Sequence, residues 1–131
     1  MVEDELAIRH LVAAYADGVN RRDQELWAST WSESSSWTLP GTTVEGKEAV
    51  VGLWVAAMGG LEFVVQLVHQ GTLEINGDKA TGRWYLTEHL RAQGASDTRT
   101  SVGTYKDEYV RENGSWLFAN RVYEVLYSDE G

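Results

Sequence analysis

Residues 62–77 read Glu62-Phe-Val-Val-Gln-Leu-Val-His-Gln-Gly-Thr-Leu-Glu-Ile-Asn-Gly77, and the way they alternate decides the fold. Period-2 alternation sends Val65, Leu67, His69, Gly71, Leu73 and Ile75 to one side of a strand, and Gln66, Gln70, Thr72 and Glu74 to the other. Asn76-Gly77 is a hairpin turn signal. Three further strands are predicted over roughly 79–91, 100–111 and 116–127, separated by the Gly94-Ala-Ser-Asp97 loop and by Glu112-Asn-Gly114. Upstream the pattern is helical. Residues 3–21 place Ile8, Leu11, Val12, Tyr15 and Val19 at helical spacing, with acids in the first turn and Arg21-Arg22 at the end. Asp23 caps a second short helix through Trp27 to Trp31, and Gly46-Lys47-Glu48 opens a third that stops at Gly59-Gly60. Two short strands flank the turn at Pro40-Gly41. Helices first and a meander after predict an α+β domain over residues 1–131, a cone-shaped α+β barrel with N-terminal helices packed on a strongly curved mixed or antiparallel sheet.

A chain of 131 residues is the size of one domain and buries enough surface to spare a pocket. The acidic start, Met1-Val-Glu-Asp-Glu, does not read as a signal peptide, and no apolar stretch reaches the ~18 residues of a membrane span, so a cytoplasmic protein with no membrane contact is expected. With no cysteine, thiolate metal sites and a cysteine nucleophile are excluded. A net charge of −9 argues against nucleic acid. No pair of histidines has ligand spacing, and neither a metal nor a cofactor is expected. Six Trp, six Tyr and two Phe are more than a core of this size requires, which favours an aromatic-lined cavity or an aromatic subunit interface over core packing alone.

Within the apolar row of the first long strand, His69 is the exception. Pointing inward, an imidazole near its ordinary pKa takes or gives a proton at neutral pH; a core histidine satisfied by one hydrogen bond is the alternative. In the next strand Glu88 shares a face with Gly82, Trp84, Leu86 and Leu90, and a buried carboxylate must be paired, hydrogen-bonded or protonated. Arg121 alternates with Leu117, Ala119, Tyr123 and Val125, placed to pair with Glu88 or to bind a substrate carbonyl. The third strand sets Ser101, Gly103, Tyr105 and Asp107 on one side, Gly103 leaving room for a ligand and Tyr105 able to donate a hydrogen bond. Trp84, Leu86, Tyr123 and Trp37 are the candidate apolar walls. On the first helix Tyr15, Asp17 and Asn20 lie near the small residues Ala13 and Ala16, within reach of the imidazole. Core filling for Tyr15, and solvation for Asp17 and Asn20, are the competing readings.

The ordered set Ile8-Arg-His-Leu, Tyr15-Ala-Asp-Gly, Asn20-Arg-Arg-Asp23, Val68-His-Gln-Gly-Thr72, Gly77-Asp-Lys-Ala80, Gly103-Thr-Tyr-Lys-Asp-Glu-Tyr-Val-Arg111 and Trp116-Leu-Phe-Ala-Asn-Arg121 resembles the SnoaL-like group of the nuclear transport factor-like superfamily over nearly the whole chain. Within it the sequence is similar to the hexachlorocyclohexane dehydrochlorinase, scytalone dehydratase and bile-acid 7α-dehydratase families, cofactor-free lyases that use a strand histidine oriented by a helix aspartate. The resemblance places His69 at the histidine position, Tyr15 at a tyrosine of the bile-acid enzymes, and Arg121 at an active-site arginine of the dehydrochlorinases. At the aspartate position stands Asn20, which can orient a ring but cannot stabilise an imidazolium by charge. The expected catalytic set is therefore His69, Asn20, Tyr15 and Arg121, with Glu88 or Asp17 supplying the missing charge. The implied function is a cofactor-independent lyase or isomerase, dehydratase-like or polyketide-cyclase-like, on a small hydrophobic molecule of aromatic, polyketide or steroid type. The alternative is a non-catalytic binding or accessory protein. A homodimer through the outer face of the sheet is expected, because both faces of the last strand carry large apolar groups.

Overall fold

The computed structural model describes residues 2–129. Helix α1 (Val2–Asn20) buries Ile8, Leu11, Val12, Tyr15 and Val19, the stripe its periodicity predicts. Asp23 caps α2 (Gln24–Ala28) by accepting a hydrogen bond from the Leu26 amide, as expected, but the helix ends before Trp31. Strand β1 (Trp31–Leu39) begins there and turns back into β2 (Thr42–Glu45), followed by α3 (Lys47–Gly59). The serine-rich Ser32–Ser36 run carries no strand signal in its composition. It is strand between residues registered against β6, Trp31 with Phe118 and Ser36 with Asn120; the Ser36 and Ser32 hydroxyls bond Asn120 at 2.8 Å and Glu112 at 3.0 Å, while Ser35 Oγ is buried without a partner among the described residues.

The long strands β3 (Leu61–Asn76), β4 (Lys79–Ala92), β5 (Arg99–Glu112) and β6 (Ser115–Ser128) form the predicted antiparallel meander. The six strands lie in the order β2-β1-β6-β5-β4-β3, with β1 parallel to β6 and every other pair antiparallel. This mixed, strongly curved sheet holds α1 on its concave face and closes an α+β cone. All six tryptophans are buried. Trp27 stacks on Trp54 at 4.6 Å and meets Trp31 and Trp37 at 5.6 and 5.3 Å, so the aromatic excess packs the core.

Two β-bulges set which side chains face the cone. Between the pairs Val68↔Leu86 and Gly71↔Trp84, β3 spends two residues, His69 and Gln70, against one of β4. Upstream of the bulge the inward residues are Val64, Gln66 and Val68; downstream they are Gly71, Leu73 and Ile75. The inward alternation expected from Val65 to Ile75 therefore holds only after the bulge, and Leu67 and His69 face out. Gly71 is required where it sits, because a Cβ there would lie 2.6 Å from Trp84 Cε3 and 2.2 Å from the Arg83 carbonyl. The second bulge lies at Ala119, between Glu108↔Asn120 and Tyr109↔Phe118. It puts Trp116 and Phe118, rather than Leu117 and Ala119, on the face of Arg121.

Candidate active site

Five elements send polar side chains into the cone. Helix α1 supplies Tyr15, β4 supplies Glu88, β5 supplies Tyr105, Asp107 and Tyr109, and β6 supplies Arg121. From β3 comes Gln66, which the unbroken alternation places outside. The isolated Gly71 within the strand pattern is the sequence signal for a bulge that would have found it.

Arg121 is 1% exposed and makes a two-pronged pair with Asp107, Nε to Oδ1 at 2.8 Å and Nη2 to Oδ2 at 3.2 Å. Its guanidinium carbon lies 3.5 Å from the Tyr105 ring centre, 4.3 Å from that of Tyr15 and 4.4 Å from that of Phe118. Burial opposes its charge, but Asp107 and the surrounding phenols outweigh that and hold the guanidinium above its ordinary value. Burial likewise pushes the Asp107 carboxyl up, against the pull of Arg121 and the hydroxyl of Tyr109, which donates to Oδ2 at 2.6 Å. Trp84 Nε1 donates to that same hydroxyl at 2.7 Å, so the partner of Arg121 is Asp107 and not Glu88. Arg121 Nη1 is buried without a partner among the described residues.

Above this pair, the Tyr15 and Tyr105 hydroxyls lie 3.4 Å apart. Burial raises both phenols, most strongly Tyr105, so both stay protonated. Gln66 Nε2 donates to the Tyr105 hydroxyl at 3.2 Å and to Glu88 Oε2 at 2.9 Å. Burial pushes the Glu88 carboxyl up, and the Gln66 hydrogen bond pulls it partly back. Glu88 lines a cleft of about 220 Å³ at the mouth of the cone, together with Leu90, Arg99, Ser101 and Tyr123. Two larger depressions, of about 720 and 660 Å³, lie on the outer side of the sheet among residues such as Glu74, Thr81 and Glu108, and neither contains the Glu88–Tyr105–Tyr15 cluster.

The remaining candidates are placed elsewhere. His69 is exposed on the outer face, its Nε2 2.8 Å from Thr87 Oγ1. The Asn20 amide clips α1 to β3: Nδ2 donates to the Gln66 carbonyl at 2.9 Å and Oδ1 accepts from the Gln66 amide at 2.7 Å, while His69 lies on the other face of the sheet. Asp17 turns to solvent and pairs with Arg21 at 3.1 Å. Gly103 makes room for Tyr123 rather than for a ligand, since a Cβ there would lie 2.5 Å from Tyr123 Cε1. Trp37 belongs to the tryptophan cluster, and Leu86 and Trp84 are buried in the wall.

A curved sheet closed by three helices around a buried polar cluster defines a cone-shaped α+β protein of the nuclear transport factor-like class. The chain belongs to the SnoaL-like domain family, whose model matches residues 1–122. Among solved structures it is similar to the type 2 hexachlorocyclohexane dehydrochlorinase LinA, with a TM-score of 0.91 and 22% identity over 97% of this chain and 88% of that one. A protein from Novosphingobium aromaticivorans named as a candidate scytalone dehydratase matches with a TM-score of 0.90 and 16% identity over 99% and 89%. A Mycobacterium tuberculosis protein of unknown function matches with a TM-score of 0.85 and 25% identity over 95% and 77%. A search of curated protein sequences gave no match. Among the described residues no helix is long and apolar enough to cross a membrane.

Proposed function

We propose that the chain is a cofactor-independent lyase or isomerase that moves a proton on a small, largely apolar substrate, with the Glu88 carboxyl as the proton carrier. One observation carries this reading: the carboxyl that burial has pushed upward opens onto the cleft at the mouth of the cone. A carboxyl raised by burial holds its proton to higher pH than a free one, which suits it to carry a proton to and from a substrate. Behind the carboxyl, Gln66 links Glu88 to the protonated Tyr105 and Tyr15, whose rings lie against the positive charge of Arg121. Removing a proton beside a carbonyl and expelling a β-substituent gives the dehydratase outcome; returning the proton to another carbon gives the isomerase outcome. The names of the similar structures, a dehydrochlorinase and a candidate dehydratase, fit the first. The cleft, at about 220 Å³, is below the ~300–1,000 Å³ usual for ligand sites. A single-ring substrate therefore fits better than a steroid-like one.

The test is turnover of cyclic β-hydroxy and β-halo ketones, followed by enone absorbance. Glu88→Gln is expected to lower kcat/KM by about 10²- to 10⁴-fold, and His69→Ala to leave it within about twofold; the reverse ranking overturns the assignment. The Asn20 amide, bonded to the Gln66 backbone, and the outward His69 favour a second reading, a binding protein without chemistry, which predicts saturable tryptophan quenching by the same ketones with no product formed.

The homodimer is proposed on the outer face of the sheet, where Leu67 and Tyr85 are 48% and 42% exposed. Sedimentation of Leu67→Glu as a monomer, against a dimeric parent, is the expected result.

A further inference from the structure

The Gln66 side chain is saturated on one side and empty on the other. Its two amide hydrogens go to Glu88 Oε2 and the Tyr105 hydroxyl, while its Oε1 is buried without a partner among the described residues. A buried acceptor left unpaired is costly, and a carboxamide oxygen has two lone pairs to fill. The backbone of Gln66 is pinned on both sides by Asn20, so the mobile part is the terminal torsion, which is soft and close to two-fold. A half-turn about it exchanges nitrogen and oxygen at the same two positions.

We propose that Gln66 is a positioning residue with two settings, and that its carboxamide ties the protonation of Glu88 to the direction in which the Tyr105 and Tyr15 hydroxyls donate. The inference rests on Glu88 as the proton carrier. While Glu88 is ionised it needs a donor, so Nε2 faces it and the structure shows this setting. Tyr105 then accepts from Gln66, and its own proton points to the Tyr15 oxygen, so the Tyr15 O–H points away from Tyr105. Once Glu88 has taken a proton on Oε2 it needs an acceptor. Turned through a half-turn, Oε1 accepts from Glu88 and from Tyr105 together, and the two amide hydrogens pass to the side where Oε1 had no partner among the described residues. Tyr15 then donates to Tyr105, so both hydroxyls reverse their direction with the protonation of Glu88.

The other groups facing Glu88 leave this control with Gln66. Arg121 from β6 is held by Asp107. Tyr123 from β6 bonds Ser101 of β5. Arg99 lines the same cleft, and His89 lies on the other face of β4, bonded to Thr100 at 2.7 Å.

The test is an NMR titration of the unliganded chain from pH 4 to 9, observing the Glu88 carboxyl carbon, the Gln66 side-chain amide and the Tyr105 ring carbon that bears the hydroxyl. All three are expected to move with one midpoint, and the last two transitions to vanish in Glu88→Gln. In Gln66→Met the Glu88 midpoint is expected to rise, because a donor to the ionised form is gone, while the Tyr105 transition is lost. If the Glu88 carboxyl titrates with Gln66 and Tyr105 unmoved, the coupling is overturned and Glu88 stands as proton carrier. If Glu88 does not titrate in this range, the coupling is overturned as well, and the turnover of Glu88→Gln decides the function on its own.

Discussion

Strands β3 and β4 are paired neighbours of similar length, yet they present their side chains to the cone by different rules. Along β4 the concave face is met by Gly82, Trp84, Leu86, Glu88 and Leu90 without interruption. Along β3 the bulge at His69 and Gln70 shifts the phase by one, so a polar glutamine faces the cone and the histidine faces out. The polar machinery of the cone depends on both strands, because Glu88 from the regular one is held by Gln66 from the bulged one. A single extra residue thus keeps an imidazole out of the cavity and puts a carboxamide in its place.

The sharpest way to break this comparison is turnover. Loss of about 10²-fold or more in Glu88→Gln beside an active His69→Ala would place the chemistry on the regular strand; equal losses would erase the distinction. Next in size is the pair set by the bulge in β6. Asp107→Ala leaves the Arg121 charge buried and alone, and chemical denaturation is expected to show a loss of about 3–5 kcal/mol. Gly71→Ala forces a methyl group against the Arg83 carbonyl and the Trp84 ring, at an expected cost of about 1–3 kcal/mol. A cost near zero would mean that the bulge moves freely.

The pH dependence follows from Glu88. Its carboxyl is raised by burial in the folded chain, so between the ordinary and the folded value the native state binds more protons than the unfolded one. That contribution to stability is fully present below the ordinary carboxylate value and is lost as pH rises through the folded one. Tm measured from pH 4 to 9 is expected to show a shallower alkaline decline in Glu88→Gln than in the parent. The smallest effect is His69→Ala, which removes one exposed hydrogen bond to Thr87 and is expected to change stability by less than about 0.5 kcal/mol.

How much of this was legible in the sequence differs from element to element. The stripe of α1 and the inward face of β4 follow from local periodicity, because neither is interrupted. Residues on β3 upstream of Gly71 and on β6 upstream of Asn120 were misassigned, because period-2 reasoning carries its phase across a bulge and a bulge resets it. Arg121 was read as a charge in an apolar row and is one, but its partner comes from β5, a matter of cross-strand register. Asn20 stands where a catalytic aspartate was expected, and its use as a backbone clip depends on where α1 meets β3.

By itself the sequence determined the order of elements, the α+β cone, the burial of the α1 stripe, and the presence of Tyr15, Glu88, Tyr105 and Arg121 among the inward groups, since each rests on periodicity and turn chemistry within a short span. Only the tertiary structure decided that Gln66 replaces His69 inside the cone, that Asp107 rather than Glu88 binds Arg121, and that Asn20 and Asp17 serve other contacts. These depend on how one strand's backbone registers against another, and a side chain's neighbours across a sheet are fixed by that register, not by the residues beside it in the chain.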